Sequence, residues 1–162
     1  MKTAFALSAV ISSAFAAAAA AASSAPPFQL LISGAQSRAT ELKGRALISQ
    51  GDAFILAPHG EHGINFTGGD GTLGIQNGDV VYVGTDGHVG LKSTGGIAAG
   101  GLTQGFTTGS DNALKWVQGQ FFACPHVSFH AEGPPTYMIY ATRSGAALPT
   151  DCIAVDLAKV AV

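Results

Sequence analysis

The stretch Thr72-Leu73-Gly74-Ile75-Gln76-Asn77-Gly78-Asp79-Val80-Val81-Tyr82-Val83 decides how the rest of this chain is read. Two short apolar runs flank Gln76-Asn77-Gly78-Asp79. Asn-Gly between such runs is the strongest short-range sign of a β-hairpin, because both residues tolerate the positive φ of a primed turn. The same grammar recurs on either side. Upstream, residues 45–49 and 53–57 flank Gln50-Gly51-Asp52; downstream, residues 113–117 lead through Gln118-Gly119-Gln120 into residues 121–124. Residues 28–32 form a further strand stopped by Ser33-Gly34, and residues 85–91 read as a turn followed by a strand.

Three strand–turn–strand units centred on Gly51, Gly78 and Gly119 are unequally spaced, so they form an irregular repeat. The expected fold is all-β: a compact small barrel or a trefoil-like arrangement of short hairpins, with a two-layer β-sandwich as the alternative. Residues 35–44 read as a polar loop or a turn of helix, and residues 93–105 as a glycine-rich connection with little to bury. Helical periodicity is nearly absent beyond the N-terminus, apart from a short turn near the C-terminus. With 22 glycines and only 11% charged residues, the composition fits a tightly turned extracellular β-domain better than a helical or disordered chain.

The N-terminus reads as a secretory signal peptide. Lys2 supplies the positive n-region, residues 4–11 the apolar h-region, and Ala14-Phe15-Ala16 an A-x-A cleavage site. Residues 1–16 are therefore assigned to the signal, with cleavage as far as about residue 22 equally compatible with the small residues there. Residues 17–27 form a low-complexity Ala/Ser/Pro segment, and residues 28–162 a single β-domain. The h-region is too short for a stop-transfer helix. Residues 156–162 carry no long apolar tail, so no lipid anchor of the GPI kind is expected. The formal charge of −2 becomes one unit more negative once Lys2 is removed, and no Lys/Arg cluster exists to neutralise phosphates. A nucleic-acid or anionic-membrane partner is thus not expected.

Cys124 and Cys152 are the two cysteines of the chain and permit one intramolecular pairing. In an oxidising compartment they are expected to bond, closing a loop of about 29 residues that stabilises the fold by roughly 3–4 kcal/mol on the chain-entropy argument. Asn65-Phe66-Thr67 is the one N-x-[ST] sequon, which makes Asn65 a glycosylation acceptor on a secreted chain.

Catalytic constellations are weak. His59-Gly60-Glu61-His62, with His126 and His130 further on, gathers imidazoles, but Gly60 and the preceding Pro58 break the helical spacing that metal-binding pairs use. Loop histidines at the surface are the reading taken, with no metal and no cofactor expected. The carboxylates Asp52, Asp70, Asp79, Asp86, Asp111, Glu132, Asp151 and Asp156 sit mostly beside glycine or asparagine, where Asp commonly fixes a turn. No G-x-S-x-G elbow occurs, and no lysine follows Gly68-Gly69-Asp70-Gly71 at phosphate-loop spacing. Trp116, Tyr82 and Tyr140 remain as candidates for a sugar-stacking platform, with burial in the core as the competing fate of aromatic residues in strands.

The run Leu73-x-Ile75-x-Asn77-Gly78-x-Val80-x-Tyr82-Val83-x-x-Asp86-Gly87-x-Val89-Gly90, followed by Trp116, Phe122-Ala123-Cys124-Pro125, Tyr140-Ala141 and Asp151-Cys152, resembles the secreted fungal cell-wall proteins of the phialide-protein (PhiA-like) family. That group includes chains labelled IgE-binding proteins. The run is more distantly similar to the cysteine-bearing C-terminal domain of Pir-type cell-wall mannoproteins. The similarity covers roughly residues 72–156, with a fainter echo at residues 28–56. This chain differs from Pir proteins in showing no Gln-rich repeats ahead of the domain, and from many relatives in carrying no cysteine in its N-terminal half.

The resemblance implies a secreted, non-enzymatic structural protein of the fungal cell wall or extracellular matrix, allergen-like in character. Its expected partners are wall polysaccharide or other wall proteins. The competing expectation is a lectin-like module that recognises wall glycans through its aromatic residues. A secreted hydrolase is a third class, for which no converging acid–base pair can be named.

Overall fold

The computed structural model describes residues 25–36, 40–126 and 136–162. The signal peptide, most of the low-complexity segment, His130 and Glu132 lie outside the described residues. The fold is all-β. Eleven strands run in chain order: β1 (Phe28–Ala35), β2 (Leu47–Gln50), β3 (Ala53–Leu56), β4 (Phe66–Ile75), β5 (Val80–Val83), β6 (Val89–Lys92), β7 (Gln104–Thr108), β8 (Ala113–Trp116), β9 (Phe121–His126), β10 (Thr136–Ala141) and β11 (Ile153–Ala161). Two single 3-10 turns, Thr40–Leu42 and Thr94–Gly96, are the helical elements among the described residues.

All eleven strands belong to one sheet, ordered β1-β11-β8-β7-β4-β5-β6-β3-β10-β9, with β2 attached to β3. Further pairings of β9 with β11 and of β1 with β4 bring the ends of this path back onto its middle. The sheet is a closed, barrel-like ring and not two facing layers, so few strand edges are left open to other chains.

Alternation explains the closure. In β1, Phe28, Leu30 and Ile32 point inward, and in β5, Val81 and Val83 do the same, as period-two strands with one buried face require. Phe54 of β3, Phe66 of β4, Phe106 of β7, Ile139 of β10 and Leu157 of β11 meet them in one continuous core. Phe66 is its hinge, with ring centroids 5.5 Å from Phe54 and 6.1 Å from Phe28. The void left inside this core is about 10 Å³, at the limit of what one water needs, so the interior is filled by side chains.

Two of the three expected hairpins are present. β2 and β3 pair from Leu47↔Leu56 to Gln50↔Ala53, and β4 meets β5 at Gly74↔Val80. In the second turn the Asn77 side-chain oxygen accepts from the Asp79 amide at 2.9 Å, closing a local Asx loop.

The third hairpin does not form. β8 pairs with β11 at Leu157↔Leu114 and Ala158↔Ala113, and β9 pairs with the same strand at Ile153↔Ala123 through Val155↔Phe121. β8 and β9 therefore follow one another along one edge of β11, while β1 occupies the other edge from Ala35↔Val155 to Phe28↔Ala161. Gln118-Gly119-Gln120 is an outward excursion in this line, so the third unit is not a hairpin.

Thr142 clamps the excursion. Its hydroxyl accepts from the Gln120 amide (2.8 Å) and donates to the Gln118 carbonyl (3.1 Å), and its carbonyl accepts from the Trp116 indole (2.8 Å). Gly119 has φ of 140°, and a Cβ there would meet the Thr142 hydroxyl.

One other expectation is corrected. The C-terminal segment read as a short helical turn is β11, a central strand of the fold. Gly68-Gly69-Asp70-Gly71 lies within β4, where three positive φ values and a register shift bend the strand from β1 toward β7 and β5. A Cβ on Gly68 would sit 2.5 Å from the Thr72 carbonyl, so the bend itself needs glycine there.

Cys124 and Cys152 are joined, with Cα atoms 4.1 Å apart. They stand one step beyond Ala123↔Ile153, so the bridge staples β9 to the start of β11. Among the described residues, no helix is long and apolar enough to cross a membrane.

Candidate functional site

The three aromatic residues proposed for stacking have separate fates. Trp116 is 3% exposed and packs on Phe106 with ring centroids 4.9 Å apart. It is a core residue whose polar nitrogen is already satisfied by Thr142, so the expectation of an exposed platform on Trp116 is corrected. Tyr82 and Tyr140 both adjoin His88, but Tyr82 is only 6% exposed, so the expectation of an open stacking face on Tyr82 is corrected as well. Val81 and Val83 face the core, which places Tyr82 on the outer face of β5, and in β10 the buried Ile139 and Ala141 likewise leave Tyr140 outward.

His88 links them. It bridges to Tyr140 through the backbone, and its ring stands edge-on to Tyr82 at 5.3 Å between centroids. The Tyr82 hydroxyl donates to His88 Nε2 at 2.9 Å, and His88 Nδ1 donates to Asp86 Oδ1 at 2.5 Å. The His88 amide also donates to Asp86 Oδ1. Asp86, His88 and Tyr82 thus form a hydrogen-bonded chain across the β5–β6 turn, beside a cleft of about 200 Å³ floored by Gly84 and Gly101.

Desolvation pushes the Asp86 carboxyl upward, but the hydrogen bonds from His88 outweigh it and hold it below its ordinary value. Burial, assisted by Asp52, raises the Tyr82 phenol, and burial followed by the charge of Asp86 raises Tyr140. Both phenols therefore stay neutral donors at physiological pH. The chain imitates the connectivity of a nucleophilic triad, yet its hydroxyl is made less acidic, the opposite of activation. What it can do is present a carboxylate, an imidazole edge and the half-buried ring of Tyr140 together, a set that suits hydrogen bonding to sugar hydroxyls.

In sequence Asp86 carries only a turn signal, and His88 stands apart from the His59, His62, His126 and His130 group. The signal available was the spacing Tyr82…Asp86-Gly87-His88, since a hairpin turning at Asp86-Gly87 pairs Tyr82 with Gly90 and leaves His88 diagonal to Tyr82 on the same face.

A second concavity, of about 630 Å³, lies where β2, β3 and β10 meet the Thr40–Leu42 turn. Ile48, Ile55, Leu56, Pro58 and Tyr137 supply its apolar wall, with Arg45, Glu41 and His59 as its charged or titratable members. Arg45 is held in place by its own strand partner. Its Nε donates to the Ala57 carbonyl (2.6 Å) and its Nη2 to the Leu56 carbonyl (3.0 Å), with the guanidinium carbon 5.9 Å from the Tyr137 ring centre. Burial lowers the pKa of this guanidinium, against the raising effects of Tyr137 and Glu41. His59 Nε2 lies 2.5 Å from the Glu41 backbone carbonyl, which fixes the imidazole at the rim.

Among the described residues, no three His, Cys, Asp or Glu side chains converge as a metal-ligand set. His62 and His126 are exposed. Asp111 caps its own turn through the Ala113 amide, and Asp52 pairs with Lys92 at 2.7 Å. Asn65 is exposed immediately before β4, while Phe66 within the same sequon is fully buried. The acceptor side chain is thus open to solvent on a backbone that the core holds rigid.

No protein-family model, curated protein or solved structure matches this chain.

Proposed function

We propose that this chain is an exported, non-enzymatic structural component of a fungal cell wall or extracellular matrix, allergen-like in character. The observation that supports this reading is the Cys124–Cys152 bridge, which joins neighbouring strands of a closed sheet downstream of a signal-like N-terminus. Such a bridge persists in oxidising compartments, where a small domain gains a staple that resists local opening. A ring with few free edges is also suited to dense packing in a wall without strand-to-strand aggregation. Wall polysaccharide or neighbouring wall proteins are the partners proposed, and Asn65 is the proposed glycan attachment point.

The test is fractionation of the native protein between culture medium, detergent-extracted wall, mild-alkali-released wall and glucanase-released wall. Recovery in wall fractions is expected; recovery in the medium alone would overturn the structural role.

A second reading, a lectin-like module, is favoured by the cluster of Tyr140, Asp86 and His88 on the outer face. It replaces Trp116 as the stacking residue with Tyr140. Glycan-array binding that disappears in Tyr140→Ala, with the fold intact by circular dichroism, would support it. Binding insensitive to that change would remove it.

A further inference from the structure

We infer that the concavity between β2, β3 and β10 is a binding site for a small monoanionic amphiphile, an apolar body carrying one carboxylate, with Arg45 receiving the head group. The site differs from the Tyr140 cluster and does not depend on whether the protein is retained in the wall.

The inference rests first on shape. A volume of about 630 Å³ falls within the range of small-molecule sites, and its wall is dominated by aliphatic side chains and one aromatic ring. Ile48 and Ile55 are a cross-strand pair, and Met138 of β10 lies opposite Ile55 in the next ladder. The apolar wall is therefore built on strands and is formed before a ligand arrives.

Charge supplies the second argument. Arg45 spends one Nε and one Nη2 hydrogen on the carbonyls of Ala57 and Leu56. A guanidinium has five donors in a planar fork, so the Nη1 group remains to receive a carboxylate. Those two backbone bonds hold the fork still, which lowers the entropy lost when an anion docks. Both existing partners are neutral carbonyls, and among the described residues Arg45 makes no ion pair within 4.0 Å. Its partial dehydration, visible in the lowered pKa, means that less water must be stripped when an anion arrives.

Glu41 and His59 also face this space. Glu41 opposes an anionic ligand electrostatically, and this restricts the site to a single negative charge placed on the Arg45 side. His59 is engaged with the Glu41 carbonyl and limits the opening at the rim.

The test uses the native, disulfide-bonded protein. Decanoate and decanol are compared by calorimetry and by displacement of anilinonaphthalene sulfonate, across a salt series. Decanoate is expected to bind about tenfold more tightly than decanol, and this margin should shrink as salt rises. Glu41→Gln removes the opposing charge from an exposed turn and should tighten decanoate binding about threefold while leaving decanol unchanged. Arg45→Met should erase the preference for decanoate. Because that change also removes two backbone contacts, Ile48→Trp on the partly exposed strand β2 serves as a second variant, expected to block both ligands by filling the space. Equal affinity for the two ligands, an unaltered response in Glu41→Gln, or uptake that persists in Ile48→Trp would overturn the proposal. So would a sedimenting dimer that takes up neither ligand, which would assign the surface to a second copy of the chain.

Discussion

The β2–β3 and β4–β5–β6 side of the ring and the β1–β11–β8–β9 side are built on opposite principles. On the first side, strands that follow one another in the chain pair through turns of a few residues, as in Gln50↔Ala53 and Val83↔Val89. On the second, the N-terminal strand lies against the C-terminal one, from Phe28↔Ala161 to Ala35↔Val155, and β11 must enter between segments already laid down. Local pairs close at small entropic cost, whereas pairing the two ends of the domain closes nearly the whole chain. The covalent bridge sits on the second side, between β9 and β11, strands that no tight turn joins. A staple is most useful where the chain's own sequence does least to bring strands together.

That contrast can be broken at its shared element. Phe66→Ala removes the ring that touches both Phe54 of the local side and Phe28 of the end-to-end side, and should cost about 3–5 kcal/mol, lowering both sides together. Urea unfolding followed by two probes, Trp116 fluorescence and far-ultraviolet circular dichroism, should give coincident transitions.

Removing the bridge in Cys124→Ala/Cys152→Ala sharpens the comparison. The expected loss is about 3–4 kcal/mol, or roughly 10 °C in Tm. Hydrogen exchange should show β9 and β11 losing more protection than β2, β3 and β5. Uniform loss of protection would mean that the two sides do not differ as described.

Gly119→Ala probes the excursion that lets β8 and β9 share one edge of β11. The new Cβ would collide with the Thr142 hydroxyl on a backbone with φ of 140°, so a loss of about 2 kcal/mol is expected. The Trp116 environment should change in the near-ultraviolet spectrum, because its indole bonds to the Thr142 carbonyl.

The smallest effect belongs to the local side. Asp86 has a lower pKa folded than unfolded, so its contribution is complete above the ordinary carboxylate range and is lost as pH falls through the folded value. Because Asp86 is largely exposed, Asp86→Asn should cost no more than about 1 kcal/mol at pH 7 and flatten the acid limb of the stability curve. Chemical unfolding between pH 7 and pH 3 measures both.

Legibility followed the same division. The Asn77-Gly78 and Gly51-Asp52 turns were readable because a tight turn is a property of two or three adjacent residues. Asp86 and His88 occupy such a turn, but their chain to Tyr82 became visible only when β5 and β6 were laid in register. The third Gly-centred unit carried the same local signal and went elsewhere, because β11 competes for the edge on which β8 and β9 would otherwise meet. Trp116 looked like a platform in sequence; only its packing on Phe106 shows it to be core. Arg45 carried no motif, and its place beside Tyr137 arises from residues far apart in the chain.

The amino-acid sequence by itself determined that this is an all-β domain of short strands and that its two cysteines, if paired, have one pairing. Both follow from alternation, turn chemistry and cysteine number, which are local or countable. Tertiary structure alone decided that the sheet closes into a ring, that β11 is its central strand, and which polar side chains meet. Those outcomes depend on competition among strand edges for partners, and no single stretch of the chain contains that competition.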